Sequence, residues 1–399
     1  MKRYNKITPE GTRDLLFEEC LAHRTVESIL TDVFSSHGFN EVVTPGLEFY
    51  DVFHPENSGV PQEVMYKLTD KKGRLMVMRP DSTMPIARLA ATRLQGLPKP
   101  IRLFYTQQIY RSNPGLTGRS DEVMQTGIEL LGAAGKRADL EVIVTAIEAM
   151  SKCVPDFRIE LGHAGFFRAL AAQLPISDDQ REDIRASIEA KNYPALDRML
   201  EMLEDSPAVM AMRRLPRLFG GEEVFAQAEE LCIDEKTKET LSYLQEIYRD
   251  LSVLGLGDKI IIDLGLVQRN DYYSSIVFSA YVETIGEAVL IGGRYDHLLE
   301  LFDCPMPAIG FAVNMDAIAK MLLKRGEIDS STLHTQVLVH SEKGYEMKAL
   351  RYASNLTGKG LRCENSVFET REQALRYAEE KGIPRVDFVS EQIELVERG

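Results

Sequence analysis

Two long strand-like runs joined by a short polar loop constrain the fold of this chain more than any other sequence feature. The run IRLFYTQQIYR starts at Ile101, and the run EVMQTGIELLG starts at Glu122. Upstream, the turn at 71–73 separates two more strand-like runs and is typical of a hairpin. Helical spacing of apolar residues marks three segments, at 15–37, 82–94 and 138–150. Because these elements do not alternate regularly, we predict an α+β fold with an antiparallel sheet flanked by helices.

The rest of the chain changes character twice. Residues 166–256 are rich in helical spacing, and the pattern SDDQ at 177–180 is typical of a capping box at a helix start. We interpret this segment as a helical insertion in a core domain that spans residues 1–327. Strand and helix then follow each other in the tail, which predicts a small α/β domain at 333–399.

The net charge and the cysteines exclude several classes of protein. The chain has 47 Lys and Arg residues against 61 Asp and Glu residues, a net charge of −14, whereas nucleic-acid binding depends on neutralising phosphates. Its five cysteines show no metal-ligand or CxxC spacing, which is typical of reduced thiols. The N-terminal segment lacks an apolar signal core, and no apolar run is long enough to span a membrane. We therefore expect a cytoplasmic protein without a nucleic-acid or membrane partner.

One strand-like run carries polar side chains in an alternating pattern. Gln125, Gly127 and Glu129 lie two residues apart, so they share one face of a strand. Glycine lets a ligand approach the backbone, and a carboxylate supplies charge-assisted hydrogen bonds to a small polar cation. The alternative is a solvated sheet face, and on spacing alone that alternative is the preferred interpretation.

Two short segments add candidate ligand contacts. Asp81 and Thr83 in RPDST bring oxygen acceptors together, which suits an ammonium group because ammonium only donates hydrogen bonds. The same residues precede a helical run and therefore also suit a helix N-cap. Tyr272 and Tyr273 are predicted on opposite faces of a strand, where one phenol faces a cavity and contacts a ring. Core packing is the alternative for this pair.

No catalytic, metal or cofactor site follows from the remaining motifs. The run GGRYD at 292–296 is neither a GxGxxG nor a Walker loop, so it does not predict a phosphate cradle. His163 and His297 lack partners at metal or triad spacing, and we interpret both as structural. We expect neither a nucleophile nor a bound cofactor.

Taken together, seven ordered motifs resemble those of the class II aminoacyl-tRNA synthetases, and specifically of the histidyl-tRNA synthetase family. The resemblance covers about the first 327 residues, and the tail is similar to a shortened anticodon-binding-type domain. It implies the synthetase fold, an antiparallel sheet flanked by helices. The motifs are GTRDLL (11–16), TPGLE (44–48), RPDST (79–83), IYRSNPGLTGRSDEVMQTGIELLG (109–132), LVQRNDYYSSIVF (266–278), IGGRYDHLLELF (291–302) and PAIGFAVNMDAI (307–318).

Three positions depart from the synthetase pattern. By the resemblance, Gln268 replaces an arginine that contacts the α-phosphate and the substrate carboxylate, and Ala317 replaces an arginine that clamps ATP. Asn113 stands where an acidic residue reads adenine, although Arg111 is retained. Losing one preorganised oxyanion donor costs on the order of 100- to 1000-fold in rate. We therefore expect no useful adenylation.

The resemblance implies that the amino-acid pocket is better preserved than the ATP pocket. The carboxylate clamp is weakened, because it includes the position of Gln268. The implied ligand is histidine. The residues that the resemblance assigns to it are Asp81, Thr83 and Gln125 on the α-ammonium, Glu129 and Tyr272 on the imidazole, and Arg111 and Tyr273 close by.

A histidine-binding synthetase relative without adenylation residues resembles the regulatory subunits of ATP phosphoribosyltransferase, the first enzyme of histidine biosynthesis. This resemblance implies a non-catalytic chain that activates a short catalytic subunit and transmits feedback inhibition by histidine. The first motif implies a homodimer within a hetero-oligomer, through apolar residues around 45–53. Two alternatives stay open: a working histidyl-tRNA synthetase whose arginines come from elsewhere, and a synthetase-like protein with an unrelated partner.

Overall fold

Sixteen strands in the described residues form three sheets. The computed structural model describes residues 4–54, 59–113, 119–267 and 272–398. The strands are β1 (Asn40–Glu41), β2 (Leu47–Phe49), β3 (Lys67–Thr69), β4 (Leu75–Met78), β5 (Ile101–Tyr110), β6 (Glu122–Leu131), β7 (Phe157–His163), β8 (Phe219–Gly220), β9 (Ile260–Asp263), β10 (Ile276–Val282), β11 (Leu290–Arg294), β12 (Ala308–Asn314), β13 (Val337–Ser341), β14 (Cys363–Asn365), β15 (Arg385–Val389) and β16 (Ile393–Glu397).

Twelve α-helices accompany these strands in the described ranges, and none of them is long and apolar enough to cross a membrane. The chain divides into two compact units, Met1–Leu15 with Ala22–Arg325 and Leu16–Leu21 with Gly326–Gly399. The helices are α1 (Glu18–Ser36), α2 (Thr83–Arg93), α3 (Lys136–Cys153), α4 (Ala164–Ala171), α5 (Asp178–Glu189), α6 (Tyr193–Glu201), α7 (Pro207–Arg214), α8 (Glu223–Glu229), α9 (Glu235–Val253), α10 (Met315–Arg325), α11 (Glu346–Gly358) and α12 (Arg371–Glu380).

The central sheet of the larger unit joins nine strands in the order β1-β5-β6-β12-β11-β10-β7-β9-β8. Neighbouring strands are antiparallel except for β1 with β5 and β7 with β9, which are parallel. The predicted α+β class with a mainly antiparallel sheet is confirmed.

Different helices pack on the two faces of the central sheet. On one face, α1 packs through Phe34, whose ring lies 6.1 Å from Phe104 and 5.7 Å from Phe311. The buried residues of α1 recur every three or four positions, as expected for one apolar helix stripe. On the other face, Met84 and Ile86 of α2 belong to an apolar cluster with side chains of the sheet. This second face also carries the candidate site.

A separate three-stranded antiparallel sheet has the order β2-β4-β3. Its hairpin turn is closed by hydrogen bonds from the backbone N–H of Asp70 to Arg74 and from that of Gly73 to Asp70. Gly73 has a φ of +76°, a conformation that glycine adopts without strain. The predicted hairpin around 71–73 is confirmed.

The segment expected to be a helical insertion contains the helices α4 to α9 and one strand that the sequence did not predict. The capping box is confirmed, because Ser177 and Gln180 exchange hydrogen bonds between side chain and backbone. The strand β8 is only two residues long and pairs with β9 at the edge of the central sheet. Such a short strand has no periodicity to detect in a sequence.

The smaller unit has a four-stranded sheet of order β14-β13-β15-β16, in which only β16 is antiparallel to its neighbour. Successive residues of β13 point to opposite faces: Val337 and Val339 pack with α11 residues, and Leu338 packs with α12 residues. The sheet is therefore covered by a helix on each side. The edge strand β16 was not predicted, because it is short and mostly exposed and has no buried face.

Candidate functional site

The polar strand face predicted from the sequence lies in the middle of the central sheet. Glu129 of β6 pairs with Leu103 of β5 on one side and with Gly310 of β12 on the other. Gly127 and Gln125 follow at two-residue intervals along the same strand and on the same face. We call these three residues of β6 the polar floor.

Two positions next to the polar floor must be glycine, because neighbouring side chains lie very close to their backbone. A Cβ atom on Gly310 would lie 1.9 Å from Oε2 of Glu129, and a Cβ atom on Gly293 would lie 2.6 Å from the ring of Tyr273. Neither neighbour is free to retreat, since both side chains are buried. The backbone of the adjacent strands therefore forms the wall behind Glu129 and Tyr273.

Glu129 is the most deeply buried acid of the site, with 1% of its surface exposed. The hydroxyl of Thr83 donates to its Oε1 at 2.8 Å, and the hydroxyl of Tyr295 donates to its Oε2. Burial is the main cause of a Glu129 pKa raised to about 8; Asp81 acts in the same direction, and the two hydrogen bonds oppose it. A carboxyl with this pKa holds its proton at neutral pH, and a cationic group placed beside it would favour the ionised form.

Asp81 performs one of the two roles that the sequence left open, since it stabilises a helix start. Its Oδ1 accepts from the backbone N–H of Met84 at 3.0 Å, in the first turn of α2, and so stabilises the helix start. Its Oδ2 lies 3.8 Å from the guanidinium of Arg111, whose Nε donates to the carbonyl of Pro80 at 2.6 Å. Burial raises the pKa of Asp81, while Arg111 lowers it. Asp81 therefore remains an acceptor next to the floor.

Tyrosines line the site, but not in the arrangement expected from the sequence. Tyr272 and Tyr273 were predicted on opposite faces of a strand; this is wrong, because the strand begins only at Ile276. Without strand alternation the two rings lie 4.9 Å apart. The ring of Tyr272 also lies 5.7 Å from that of Tyr295.

Tyr295 is a site residue that the sequence analysis missed. It is buried, donates its hydroxyl to Glu129, and has a pKa well above the ordinary value because of burial and of Glu129. Its segment was tested for a phosphate loop and matched to a family motif, but no role was assigned to Tyr295 itself. Its position two residues after Gly293, at the end of a strand, was the signal that places it on the face of the polar floor.

Arg294 anchors the end of β11 beneath the site. Its guanidinium is buried and lies 2.5 Å from Asp139 of α3 and 2.9 Å from Asp296. The hydroxyl of Tyr243 donates to the other oxygen of Asp139 at 2.5 Å. Removing one partner of a buried ion pair typically costs 3–5 kcal/mol, so this network fixes the strand that presents Tyr295.

His163 is a structural hydrogen-bonding residue. Its Nδ1 accepts from the backbone N–H of Gly165 at 3.0 Å, so the ring proton must be on Nε2, 3.0 Å from the hydroxyl of Ser275. Burial lowers the pKa of His163 to about 4. The imidazole therefore donates to Ser275 and does not act as a base on it. His297 contacts Glu300 at 2.7 Å on the surface.

Comparison with known proteins identifies the family. Residues 11–318 match the family model described as histidyl-tRNA synthetase. A protein of Clostridium botulinum (strain 657 / Type Ba4), named ATP phosphoribosyltransferase regulatory subunit, is 38% identical over 393 residues, 98% of this chain and 92% of its own length. A protein of that name from Clostridium kluyveri is 38% identical over 387 residues, 96% of this chain and 99% of its own. The chain belongs to the ATP phosphoribosyltransferase regulatory subunit family.

Solved structures agree with the fold of this regulatory subunit family. A Bacillus halodurans C protein, described as an ATP phosphoribosyltransferase regulatory subunit/histidyl-tRNA synthetase, has a TM-score of 0.84 at 28% identity and covers 97% of this chain and 99% of its own. Histidyl-tRNA synthetase from Nostoc sp. PCC 7120 has a TM-score of 0.75 at 20% identity and covers 98% of this chain and 96% of its own. The predicted class II synthetase-like fold is confirmed.

In this member of the regulatory subunit family, the described positions that depart from the synthetase pattern are occupied by local structure. The side-chain amide of Asn113 donates to the carbonyls of Ser120 at 2.8 Å and Arg111 at 3.1 Å. Ala317 lies in the first turn of α10, where its backbone N–H donates to Asn314 at 3.1 Å. Gln268 lies outside the described residues.

Proposed function

We propose that this chain is a non-catalytic subunit of ATP phosphoribosyltransferase that activates a short catalytic chain and makes it sensitive to histidine. The observation that carries the proposal is Glu129, a buried carboxyl in a tyrosine-lined site that is held by two neutral hydroxyls. Membership of the regulatory subunit family supports the role, and the site offers a place for the effector. Feedback follows if histidine binds one assembly state more tightly than another.

Histidine fits the arrangement of acceptors. An imidazole N–H donates to Glu129 while the ring packs on Tyr272, and the ammonium group donates to Asp81 and Gln125. The side chain of Arg111 is 43% exposed and lies 3.8 Å from Asp81, and in this proposal its guanidinium binds the ligand carboxylate. This assignment gives each charged group of the amino acid a partner of opposite charge.

Thr83 and Tyr295 act through Glu129 in this proposal. The resemblance assigns Thr83 to the ammonium group, whereas its hydroxyl donates to Glu129 in the structure. With Tyr295 donating to the second oxygen, the carboxyl is fixed in orientation before the ligand arrives. Tyr273 packs behind it, against Gly293. We therefore treat Thr83, Tyr273 and Tyr295 as residues that position the carboxyl.

Adenylation is absent in this proposal. The donors of Asn113 already serve its own loop, and Ala317 offers only a methyl group. A developing negative charge on the α-phosphate would meet no cation from these two positions, and each missing donor costs on the order of 100- to 1000-fold in rate. The sequence adds Gln268 as a third neutral side chain.

A homodimer is part of the proposal, through the three-stranded sheet. Leu47 and Phe49 are 46% and 41% exposed, and they pair with Met78 and Met76 on the same sheet face. Exposed apolar faces of this kind mark protein contacts. We expect Leu47→Glu to dissociate the dimer, and the control Leu75→Glu, 42% exposed on the same sheet, to leave it intact. A monomer of the unmodified chain in sedimentation velocity would contradict the proposed dimer.

The proposed working environment is the cytoplasm, without a nucleic-acid or membrane partner and without a cofactor. All five cysteines are free thiols, which supports a reducing compartment. The net charge of −14 supports a chain that does not bind phosphate backbones.

The test mixes this chain with a short catalytic ATP phosphoribosyltransferase chain. Phosphoribosyl transfer from phosphoribosyl pyrophosphate to ATP is measured with and without this chain and with and without histidine. We expect activity only with both chains, and inhibition by histidine. A parallel assay measures histidine-dependent ATP–pyrophosphate exchange by this chain alone, and robust exchange would establish the synthetase alternative. Failure to stimulate the catalytic chain would favour an unrelated partner.

A further inference from the structure

The carboxyl of Glu129 is buried without a cation beside it. Among the described residues, no lysine, arginine or histidine forms an ion pair with Glu129 within 4.0 Å. Its charged neighbour Asp81, which precedes α2, is another acid. The guanidinium of Arg111, just beyond the end of β5, lies 3.8 Å from Asp81 and pairs with that acid. The described chain therefore gives Glu129 no partner of opposite charge.

Tyrosines supply the other titratable groups described around Glu129. Tyr105 comes from β5, Tyr272 from the segment before β10, and Tyr295 from the residue after β11. Burial raises the pKa of all three phenols well above the ordinary value, and Glu129 raises each of them further. The phenols therefore stay neutral, and Tyr273, whose ring lies 4.9 Å from that of Tyr272, is likewise no source of positive charge.

A carboxyl in such surroundings keeps its proton. An isolated carboxylate is so costly to bury in an apolar interior that the group becomes neutral instead. The pKa of Glu129, raised to about 8 mainly by burial, agrees with this argument from its neighbours. The chain without a ligand therefore carries one proton on Glu129 at neutral pH.

This proton takes part in neither of the hydrogen bonds that hold the carboxyl. The hydroxyl of Thr83 donates to one oxygen of Glu129, and the hydroxyl of Tyr295 donates to the other. Each of these contacts holds a single proton, which comes from the hydroxyl. A protonated carboxyl is itself a donor, so the O–H group of Glu129 is available to an acceptor on a ligand.

The ring of histidine supplies such an acceptor. A neutral imidazole has one N–H group and one bare nitrogen, and the bare nitrogen accepts a proton with an ordinary pKa of about 6.5. When it meets the O–H group of Glu129, the O–H bond breaks and an N–H bond forms on the ring. The products are a carboxylate and an imidazolium in contact. Opposite charges at this distance lower the pKa of an acid by about 1–3 units and raise that of a base, which favours the transfer.

We propose that Glu129 protonates the ring of the bound effector, so that histidine is held as an imidazolium whose new N–H group donates to the carboxylate. This inference rests on the proposed function and adds the class of ligand, amino acids whose aromatic ring has a basic nitrogen. Binding near neutral pH then takes no proton from water. At higher pH, where Glu129 has lost its proton, binding must take one from water and is weakened.

Calorimetry of histidine binding to the full chain, in two buffers with different enthalpies of ionisation, counts the protons. We expect uptake near zero at about pH 7 and near one proton at about pH 9, with affinity falling up to about 10-fold per pH unit above 8. Glu129→Gln should take up about one proton fewer at about pH 9, whereas the control Glu122→Gln should match the unmodified chain. The ammonium group of the ligand titrates equally in all three measurements. Equal uptake by all three chains would overturn the proposal.

A second variant moves the pH profile without removing the acid. The hydrogen bond from Tyr295 favours the ionised form of Glu129, so Tyr295→Phe should shift the alkaline loss of affinity to higher pH. The control Tyr110→Phe, which removes a hydroxyl that contacts Glu122, should leave the profile unchanged. A purely structural role of Tyr295 would lower affinity equally at every pH, and that result would contradict the proposal.

The protonation state of the bound ring is measured directly by nitrogen NMR of labelled histidine. We expect imidazolium shifts at about pH 7.5, and we expect β-(2-thienyl)alanine, whose ring lacks a basic nitrogen, to bind about 10-fold or more weakly. A neutral bound ring would overturn the proton transfer and leave the proposed function standing. If histidine does not bind the unmodified chain at any pH, the proposed function fails first.

Discussion

The proposed histidine site and the two described positions that the sequence resemblance assigns to the nucleotide use their polar groups in opposite ways. In the amino-acid site, Glu129 and Asp81 are buried, and burial raises the pKa of both carboxyls. At the nucleotide positions, Asn113 gives its amide to carbonyls of its own loop, and Ala317 has no polar side-chain atom. The first region buries a carboxyl, Glu129, whose side-chain hydrogen bonds come from two neutral hydroxyls. The second region is hydrogen-bonded within its own loop or has no polar side chain.

Under the proposed function, this difference separates a ligand site from positions that contribute only to local structure. Burying a carboxyl without a cation lowers the free energy of unfolding, so such a group is stable only when other contacts compensate for it. A locally hydrogen-bonded amide has no such cost. Under the proposed function, a buried carboxyl with only neutral partners is therefore what distinguishes the ligand site from positions that serve the fold.

Replacing Glu129 by Gln tests the proposed histidine site and has the largest expected effect on histidine binding. The amide keeps the shape but cannot ionise when a cationic group of the ligand lies beside it, and hydrogen bonds to a charged group contribute about 1.5–3 kcal/mol. We expect histidine affinity to fall up to about 100-fold, with loss of feedback inhibition and an intact complex. Calorimetry on the isolated chain and inhibition of the assembled enzyme measure the two effects.

The control for this variant is Glu122→Gln on the same strand, where the carboxyl contacts Tyr110 near the strand end. It should bind histidine as the unmodified chain does. Unchanged inhibition in Glu129→Gln would mean that the sensor lies elsewhere in the assembly.

Removing the ring of Tyr272 is expected to have the second largest effect. Aromatic contacts contribute about 0.5–1.5 kcal/mol beyond their buried area, so Tyr272→Ala should weaken histidine binding about 10-fold. Tyr272→Phe keeps the ring and should lose much less histidine affinity. If both variants behave alike, the ring does not contact the imidazole, and the hydroxyl is the important group.

The pH dependence of stability sharpens the comparison without a ligand. The pKa of Glu129 is about 8 in the folded chain against an ordinary value of 4.5, so the native state holds an extra proton between these pH values. The contribution of Glu129 to stability is therefore fully present below about pH 4.5 and is lost as the pH rises through 8. We expect Tm to fall over this range, and to fall less in Glu129→Gln. If the unmodified chain and Glu129→Gln showed the same change of Tm with pH, the raised pKa of Glu129 would be contradicted.

Restoring a single arginine at the nucleotide side is expected to have the smallest effect. Ala317→Arg returns one cation, while Asn113 and Gln268 remain neutral, so we expect no measurable ATP–pyrophosphate exchange. Histidine binding should stay within about 2-fold, because α10 does not contribute to the polar floor. Exchange above background would show that the nucleotide side lacks only one group.

The parts of the site that follow strand and helix periodicity could be predicted from the sequence. Gln125, Gly127 and Glu129 share a face because they lie in one regular strand, and Asp81 lies at a helix start as its residue type indicates. Periodicity does not apply outside regular elements, and therefore the adjacent rings of Tyr272 and Tyr273 were not foreseen.

Most features of the site that could not be predicted depend on contacts between residues that are distant in the sequence. The hydrogen bond from Tyr295 to Glu129 joins residues 166 positions apart, and no local pattern reports such a pairing. The fold class, by contrast, follows from long strand runs such as β5 and β6, whose lengths leave few alternatives. The short strand β8 and the exposed edge strand β16 lack this signal.

Gly310 makes the space beside Glu129 depend on the pairing of two strands of the central sheet. Since the surface behind Glu129 is main chain and not a side chain, its distance is set by strand pairing between β6 and β12. A shift of that pairing by one residue would present a side chain in place of Gly310 and close the space. Histidine bound at this site would then stabilise the native register of β6 and β12. Saturating histidine should therefore protect the backbone amides of both strands from hydrogen exchange.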